Sequence, residues 1–279
     1  MTMRQPYILK PVPDQFPAKV SIVIPCHNAI NITMLSLTSV IHNSDIPFEL
    51  VLVNDGSTDS TAASLDRLAA NINAGQYPKV TGVRVLHNSK RTSCAEASNL
   101  GVAAASGDII VWCNNDMLYG PHWLSPLVKI VATDANVGVV GPWPLKVTLN
   151  HNQGGSIVTE FAALAANHIV PDDPALFSSG APFVFRRGIL NMIGGYFFDE
   201  RFAPAYFEDW DLYNRLLTAG LHFGLTRRSV YYHYEGITCN QLPDRAAIYH
   251  ANRHRFLEKW PGGGPLLQYL GLSPSQLGL

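Results

Sequence analysis

Apolar and amphipathic segments alternate along the first 120 residues of the chain. Four short runs rich in β-branched and aromatic residues predict buried strands, at residues 20–25, 48–54, 82–86 and 108–113. Segments with helical periodicity follow the first three runs, at residues 31–42, 58–70 and 94–105. Strands and helices that alternate in this way pair in parallel through right-handed crossovers. The pattern therefore predicts an α/β fold with a Rossmann-like, mostly parallel open sheet and helices on both faces.

The pattern is less regular after Tyr119. Helices are predicted at residues 121–133, 209–219 and 245–260, and short strands at residues 137–140, 183–186, 221–226 and 230–234. Residues 145–177 have no convincing period and are predicted to be irregular. Because no repeat or clear linker interrupts the chain, we expect an N-terminal arm (1–19), one domain (20–240) with an elaborated C-terminal half, and a C-terminal helical extension (241–279).

Composition excludes several classes of protein. A formal net charge of -1, with scattered Lys and Arg, gives no electrostatic basis for binding nucleic acid. No apolar run reaches the roughly 18 residues of a membrane span, and residues 1–19 lack the apolar core of a secretory signal. The four cysteines are far apart, which favours neither a zinc site nor a disulfide framework. We expect a cytoplasmic protein with no integral membrane segment, whose membrane contact, if any, is peripheral at the inner face.

Polar residues follow three of the predicted strands. The strand at residues 108–113 is followed by Asn114, Asn115 and Asp116, and the first two strands are followed by the polar segments 25–28 and 54–59. Parallel strands share polarity, so these ends are expected at the same edge of the sheet, where ligands of open α/β folds bind. A carboxylate at that edge can bind a divalent cation, and the cation can hold a diphosphate. The alternative is that Asn114 and Asn115 only form a polar turn.

Asp55 and Gly56 also have two interpretations. Asp55 could accept hydrogen bonds from the edge of a planar base, and Gly56 would permit close backbone approach or a positive φ. Alternatively, the pair is only a strand-to-helix turn in which Ser57 caps the helix.

Several segments together resemble the family 2 glycosyltransferases, which have the GT-A fold. They occur in the order expected of that family and are VSIVIPCHN (20–28), LVLVNDGSTD (50–59), NLG (99–101) with SGDII (106–110), NND (114–116), GGYFFDERF (194–202), FEDWDLYNRL (207–216) and His233. Each motif alone has little specificity, but the ordered set from about residue 20 to 236 is specific. The resemblance implies an inverting transferase that moves a sugar from a nucleoside diphosphate sugar, UDP- or dTDP-linked, to an acceptor hydroxyl.

The resemblance also implies roles for individual residues. Residues 20–118 would form the nucleotide-sugar half, and residues 119–240 the acceptor and catalytic half. The residues implied to contact the donor nucleotide are Pro25, His27, Asn28, Asp55, Asn99, Asn114 and Asn115. Asp116 and His233 would hold Mn²⁺ or Mg²⁺ against the diphosphate. The alternative for His233 is a hydrogen-bonded strand histidine.

On the acceptor side, the resemblance makes Asp209 the general base and Glu208 a residue that positions the acceptor or the base. Capping of the helix is the alternative, since carboxylates are favoured in a first helical turn. Residues two apart point to different faces of a helix, so Asp211 is expected to support the structure instead. Three aromatic residues are candidates to line the acceptor site, with ordinary core packing as the alternative: Trp143, Tyr206 and Trp210. The acceptor would be a glycan, a lipid-linked glycan or a glycosylated protein in the biosynthesis of a surface polysaccharide.

Two positions depart from the family pattern. Asn114 stands where many members have a first aspartate, and His27 where many have an aromatic residue. A degenerate domain that binds a nucleotide or glycan without turnover is therefore the alternative function. A nucleotidyltransferase and a dinucleotide oxidoreductase are disfavoured, because the first strand is followed neither by a Gly-rich phosphate loop nor by G-x-G-x-x-G.

Overall fold

A computed structural model describes residues 18–147, 149, 157–170, 182–234, 236–237 and 242–277. Except for Ala18 and Lys19, the predicted N-terminal arm lies outside the described residues. The strands are β1 (Val20–Cys26), β2 (Phe48–Asp55), β3 (Val80–Asn88), β4 (Ile109–Trp112), β5 (Met117–Tyr119), β6 (Val137–Pro144), β7 (Phe183–Arg186) and β8 (His222–His233). The α-helices are α1 (Ile30–Asn43), α2 (Thr61–Asn73), α3 (Cys94–Ala104), α4 (Leu124–Thr133), α5 (Ile157–Ala166), α6 (Glu208–Thr218), α7 (Arg245–Lys259) and α8 (Gly264–Leu270).

Within the described residues, the strands form one open sheet in the order β3-β2-β1-β4-β7-β6-β8-β5. The pairs β1–β2, β1–β4, β2–β3 and β6–β8 are parallel, and the pairs formed by β7 and β5 are antiparallel. β2 is buried along its whole length, as expected for a strand covered on both faces. The predicted α/β class with a mostly parallel open sheet is confirmed.

Helices cover both faces of the sheet because alternate residues of each strand point to opposite faces. Ile22 and Leu50 pack with residues of α1, α2 and α4, whereas Val23 and Val51 pack with residues of α3 and α6. Gly101 of α3 lies against the sheet, where an added Cβ would be 2.4 Å from the side chain of Val23. The nucleotide-sugar half predicted by the sequence is therefore two layers of helices on a parallel core.

The second half differs from the prediction in three elements. The three-residue strand β5 was not predicted, and the two strands predicted at 221–226 and 230–234 are one strand, β8. β8 has an irregular register opposite Pro142 and Trp143, where polar residues interrupt its apolar pattern. α5 lies inside a segment predicted to be irregular, and it buries one face against β5 and β8. Short or bulged elements of this kind carry too few residues to produce a clear period.

Residues of the C-terminal extension pack closely against α6. Phe256 of α7 is completely buried against Phe207 and Trp210. Asp211 accepts hydrogen bonds from Arg215 within α6, at 2.7 Å, and from Trp260 after α7, at 2.8 Å. The extension and the start of α6 thus share one buried core and one ion-pair network.

Candidate active site

The carboxyl ends of β1, β2 and β4 surround a pocket, which we call the donor pocket. It is closed on its far side by residues of the segment before α6 and by the end of β8. Seven residues predicted to form the site line it: Pro25, His27, Asp55, Asn114, Asn115, Asp116 and His233. The structure therefore brings together both predicted metal ligands and five of the seven predicted nucleotide contacts.

Asp55 is held rigidly at the end of β2. Its Oδ1 accepts hydrogen bonds from Asn88 Nδ2 at 2.8 Å, from the Thr92 amide at 2.9 Å and from Thr92 Oγ1 at 2.7 Å. Within the described part of the chain, no hydrogen bond reaches Oδ2. The carboxylate is only 4% exposed and lines the donor pocket, so it presents one unshared oxygen to a ligand there.

Gly56 has a positive φ and also packs closely on another backbone segment, both of which the sequence left open for this glycine. Its φ is 61°, and an added Cβ would lie 2.2 Å from both Arg91 N and Lys90 C. The turn after β2 therefore packs directly on the loop before α3. Arg91 of that loop lines the donor pocket, where its guanidinium can meet an anionic ligand. No sequence motif named above includes Arg91, and only the fold places it at the pocket.

His27 and Asn28 connect the ends of β1 and β2. His27 Nδ1 lies 2.7 Å from the carbonyl oxygen of Asp55, so Nδ1 carries the proton and donates it. Asn28 Oδ1 accepts from the Thr58 amide at 2.8 Å, and the Asn28 amide donates to Ser57 Oγ. Asn28 has a φ of 53° and is not among the residues that line the donor pocket. Its side chain fixes the loop that delays the start of α2 to Thr61.

Asp116 and His233 lie next to each other although 117 residues separate them. β5 pairs with β8 in antiparallel register, Met117 opposite His233, and the Tyr234 amide donates to the Asp116 carbonyl. Asp116 Oδ1 is 3.0 Å from His233 Nε2. The unpredicted strand β5 is thus the element that brings the two predicted metal ligands together.

The Asp116–His233 pair fits a divalent cation of the kind expected. Oδ1 and Nε2 are adjacent donors at the pocket wall, and a carboxylate with an imidazole suits Mn²⁺ well. The described residues contain no cluster of three or more His, Cys, Asp or Glu side chains. Two protein ligands are enough for a cation whose other positions are filled by phosphate oxygens and water.

A second pocket, which we call the acceptor pocket, adjoins the first through Ala205, which lines both. It contains Glu208 and Asp209 at the start of α6, together with Tyr206, Trp210 and Tyr249. The structure thus places the predicted base and two of the three predicted acceptor residues in one depression beside the donor pocket. Tyr249 belongs to the C-terminal extension, and no motif in the sequence pointed to it.

The two carboxyl groups of the acceptor pocket have raised pKa values. Burial raises the pKa of Asp209 to about 6, although its Oδ1 accepts a hydrogen bond from the Trp210 amide at 2.9 Å, which lowers the pKa. Burial, and then the charge of Asp209, raise the pKa of Glu208 to about 8. Glu208 Oε2 is buried and has no hydrogen-bond partner among the described residues. Near neutral pH, the pair therefore retains a proton more readily than two exposed carboxyl groups would, and a carboxylate beside a neutral acid is suited to act as base and hydrogen-bond donor.

The backbone leading into α6 is unusual. Tyr206 and Phe207 have φ values of 76° and 72°, a conformation that side chains with a Cβ adopt at a cost of about 1–3 kcal/mol each. Phe207 is the residue before the first turn of α6, and its ring is 5.1 Å from that of Tyr249 and 5.3 Å from that of Phe256. Packing therefore holds the strained pair in place directly before the two carboxylates.

Two other predicted residues lie away from both pockets. Asn99 Nδ2 donates to the Phe198 carbonyl at 2.8 Å, and its Oδ1 accepts from the Phe198 amide at 2.9 Å. Trp143 of β6 is covered by the guanidinium of Arg227, 4.6 Å from its ring centre. Neither residue is among those that line the donor or the acceptor pocket.

Asp211 has the supporting role that helix geometry predicted. It is completely buried and is hydrogen-bonded to Arg215 and Trp260, with Lys259 Nζ 2.6 Å from its Oδ1. Arg215 in turn donates to the carbonyl oxygens of Ile193, Tyr196 and Phe197. This network joins the GGYFF segment to α6 and to the C-terminal extension.

Comparisons with known proteins agree with the geometry. The sequence model described as Glycosyl transferase family 2 matches residues 21–194. Chondroitin synthase of Escherichia coli is 24% identical over 272 residues, which cover 84% of this chain and 38% of that protein. An uncharacterized glycosyltransferase, YwdF of Bacillus subtilis, is 25% identical over 246 residues, covering 86% of this chain and 82% of the relative. The chain thus spans well under half of the longer relative.

Solved structures support the fold. A mannosyltransferase of Pyrobaculum calidifontis, in complex with GDP-Man and Mn²⁺, is 22% identical with a TM-score of 0.59, covering 90% of this chain and 64% of that one. GalNAc-T7 with UDP, GalNAc and Mn²⁺ is 16% identical with a TM-score of 0.63, covering 87% and 48%. The predicted GT-A type of fold is confirmed. No described helix is long and apolar enough to cross a membrane.

Proposed function

Since the chain belongs to glycosyl transferase family 2, we propose that it transfers a sugar from a nucleoside diphosphate sugar to a hydroxyl of an acceptor glycan, with inversion of configuration. The observation that carries the proposal is the arrangement of the two pockets. The donor pocket holds Asp55 and the Asp116–His233 pair, and the acceptor pocket, which shares Ala205 with it, holds Glu208 and Asp209. A donor and an acceptor bound in adjoining pockets can react directly.

Donor binding would use the ends of β1, β2 and β4. Asp55 Oδ2 is available to accept a hydrogen bond from a base N–H, in keeping with a uracil or thymine nucleotide. Arg91 can pair with a phosphate, and Asn114 can hydrogen-bond to ribose or phosphate oxygens. Asn115 Nδ2 donates to Thr33 Oγ1 at 2.8 Å, so this side chain anchors the strand end on α1 at the pocket wall.

Asp116 and His233 would hold Mn²⁺ or Mg²⁺. Once bound, the cation neutralises the charge that develops on the leaving diphosphate. Within the chain itself, His233 Nε2 and Asp116 Oδ1 hydrogen-bond to each other, which holds the two side chains together; Nε2 would give up this proton to bind a cation.

Asp209 would accept the proton of the acceptor hydroxyl during in-line attack on the anomeric carbon. Its raised pKa brings it closer to the working pH, so it is a stronger base than an exposed aspartate. Glu208, held neutral, can donate a hydrogen bond to an acceptor oxygen from its otherwise unpartnered carboxyl group. Tyr206, Trp210 and Tyr249 offer aromatic faces on which a sugar ring can pack.

The acceptor would be a glycan, a lipid-linked glycan or a glycosylated protein. The acceptor pocket is an open depression with aromatic and carboxyl groups, which suits a sugar at the end of a longer chain. Chondroitin synthase, to which the chain is similar, is named for the polymer that it makes. A surface polysaccharide or a related polymer is therefore the acceptor class we propose.

A thermal-shift screen of UDP-, dTDP- and GDP-sugars, with and without Mn²⁺, tests the donor side. A ligand that binds only the folded state raises Tm by mass action, and one at 100 times its Kd stabilises by about 2.7 kcal/mol. We expect one donor class to raise Tm in the presence of Mn²⁺ and to lose this effect in Asp116→Ala. A control is Asp66→Ala, because Asp66 is exposed on α2 and does not line the donor pocket.

Turnover is tested by incubating the donor that binds with acceptor oligosaccharides and measuring release of the nucleoside diphosphate. NMR of the product would give the anomeric configuration, which is expected to be inverted. Donor binding without hydrolysis or transfer would favour the second candidate, a domain that binds nucleotide sugars without turnover. The presence of Asn114 favours this alternative. Many family members have an aspartate at this position, so the wall of the donor pocket carries one carboxylate fewer here.

A further inference from the structure

Asn252 of α7 forms a clip on the segment that leads into the acceptor pocket. It is completely buried. Its Nδ2 donates to the carbonyl oxygens of Phe202, at 2.6 Å, and Ala205, at 2.7 Å. Its Oδ1 accepts from Arg255 Nη1 at 2.6 Å, which fixes the direction of the amide because a guanidinium can only donate. The amide nitrogen thus bonds to this segment, and the amide oxygen bonds to Arg255, which orients it.

The clipped residues connect the two pockets. Ala205 lines both the donor pocket and the acceptor pocket, and it directly precedes Tyr206 and Phe207 with their positive φ values. Glu208 and Asp209 follow at once. The position of the Ala205 carbonyl therefore determines the orientation of the start of α6 relative to the donor pocket.

Other residues of α7 also contact this segment. Tyr249 and Phe256 lie about one turn before and one turn after Asn252; both pack on Phe207, and Phe256 also packs on Trp210. From exposed positions, Arg245 donates to the Tyr206 hydroxyl, and Arg255 donates to the carbonyl oxygens of Arg201 and Ala203 at 3.3 and 3.4 Å. Apolar contacts resist separation but restrain direction weakly, whereas an amide that bonds two carbonyls fixes both. Asn252 is thus the buried directional restraint at this interface, because its two bonds are short, whereas the bonds of Arg245 and Arg255 to the segment are exposed to solvent.

We propose that Asn252 is a positioning residue for glycosyl transfer, holding the Ala205 carbonyl so that the Asp209 carboxylate faces an acceptor bound beside the donor. The inference depends on the proposed function for its catalytic meaning. Misplacing a reacting group by about 1 Å can lower a rate about 10²-fold. Asn252 touches neither substrate in this view and acts through the backbone of residues 202–206.

A matched control is available in Asn214 of α6. Asn214 is also completely buried, donates to the Gly263 carbonyl at 3.1 Å and accepts from the Leu266 amide at 2.8 Å. It joins α6 to the C-terminal residues with the same kind of amide bonds, but nearer the far end of the helix. Asn214→Ala should therefore lose comparable stability without moving Asp209.

The kinetic test compares Asn252→Ala with Asn214→Ala. For Asn252→Ala we expect kcat to fall about 10- to 100-fold while the donor KM changes less than about threefold. For Asn214→Ala we expect kcat within about threefold of the wild type at a similar loss in Tm. Equal effects on kcat in the two variants, or unchanged kcat in Asn252→Ala, would overturn the proposal.

A second readout needs no turnover. In protein carrying ¹³C-labelled aspartate, the titration midpoint of Asp209 reports how buried its carboxyl group is. The other titratable groups that line its pocket are Glu208, Tyr206 and Tyr249. Arg245 donates a hydrogen bond to the Tyr206 hydroxyl. Neither variant replaces any of these residues. We expect the midpoint to fall in Asn252→Ala and to stay in Asn214→Ala.

The two readouts separate the inference from the function on which it depends. If the wild type transfers no sugar, the proposed function fails, and the Asp209 midpoint still decides whether Asn252 positions this group. If Asn252→Ala does not fold, Asn252→Asp replaces it, because a carboxylate keeps the bond from Arg255 Nη1 but cannot donate to the carbonyl oxygens of Phe202 and Ala205. We expect a several-fold loss of kcat and a lower Asp209 midpoint there, and no change in either would overturn the proposal.

Discussion

At the scale of single residues, the acceptor pocket depends on two neighbouring carboxyl groups that differ in protonation. Burial raises the pKa of both Asp209 and Glu208, and the charge of Asp209 raises the pKa of Glu208 further. Two adjacent carboxylates resist ionising together, so the pair holds one proton near neutral pH. In the proposed reaction, the pair would supply a base and an acid from consecutive positions of one helix.

Asp209→Asn should lower kcat by about 10²–10⁴-fold, the usual contribution of a general base. Donor binding, measured by thermal shift or calorimetry, should change little because Asp209 does not line the donor pocket. In the wild type, kcat should fall as pH drops through about 6, where the Asp209 carboxylate takes up a proton. Retained turnover in Asp209→Asn would rule out this base, and the exposed Asp66→Asn serves as the control.

Glu208→Gln should stabilise the protein, and more so at pH 7.5 than at pH 5. The pKa of Glu208 is raised on folding, so between about 4.5 and 8 the folded state keeps a proton that the unfolded state has released, and stability falls as pH rises. Gln carries no such proton. We expect a gain of about 1–3 kcal/mol at pH 7.5, from roughly 1.4 kcal/mol per unit of pKa shift discounted for partial exposure.

Denaturant titrations of wild type and Glu208→Gln at the two pH values measure this difference. The same stability change at pH 5 and pH 7.5 would contradict a raised pKa for Glu208. Glu258→Gln is a suitable control, since Glu258 is an exposed glutamate on α7.

At the scale of elements, the turn between β2 and α2 determines the geometry of the donor pocket. Gly56 packs on the backbone of Lys90 and Arg91, while Asp55 just before it accepts from Thr92 in the same loop. The turn and the loop therefore move together. A change at Gly56 would disturb Asp55 and Arg91 at once.

Gly56→Ala should cost several kcal/mol and weaken donor binding. A methyl group at residue 56 would clash with backbone atoms 2.2 Å away, in addition to the cost of about 1–2 kcal/mol for alanine at positive φ. Gly75→Ala is the matched control, because Gly75 also has a positive φ, of 81°, but no atom lies within 4 Å of where its added Cβ would be. We expect Gly75→Ala to lose only the backbone term and to bind donor normally, as read by chemical denaturation and donor titration. Equal losses in both variants would show that the close approach at Gly56 is not important.

At the scale of the whole molecule, the two halves and the C-terminal extension form one site. The nucleotide half supplies Asp55 and Asp116, the second half supplies His233 and Asp209, and the extension supplies Tyr249 and the Asn252 clip. Lys259 of the extension donates to Asp199 at 2.6 Å and forms an ion pair with Asp211. Burial alone would lower the pKa of Lys259, but these interactions outweigh burial and raise the pKa. The extension is therefore part of the structure that forms the second pocket and holds the start of α6.

Deletion of residues 241–279 should prevent the second half from folding cooperatively. It would expose Phe207 and Trp210 and leave the buried Asp211 without Lys259 and Trp260, and breaking one side of a buried charge network costs about 3–5 kcal/mol. Deletion of residues 273–279 removes none of these contacts and is the control. Circular dichroism melts of the two truncations measure the outcome, and a cooperative, wild-type-like transition in the longer deletion would contradict the prediction.

The sequence by itself determined the strands and helices up to β4, the polar ends of β1, β2 and β4, and the supporting role of Asp211. These features depend on periodicity and on turn chemistry within a few residues, so local patterns are enough to specify them. Only the tertiary structure decided that β5 brings Asp116 to His233, that Asn99 and Trp143 lie outside the pockets, and that α7 supports the start of α6. Each of these rests on contacts between residues far apart in the chain, and the spacing of residues along a sequence carries no record of which distant segments will meet.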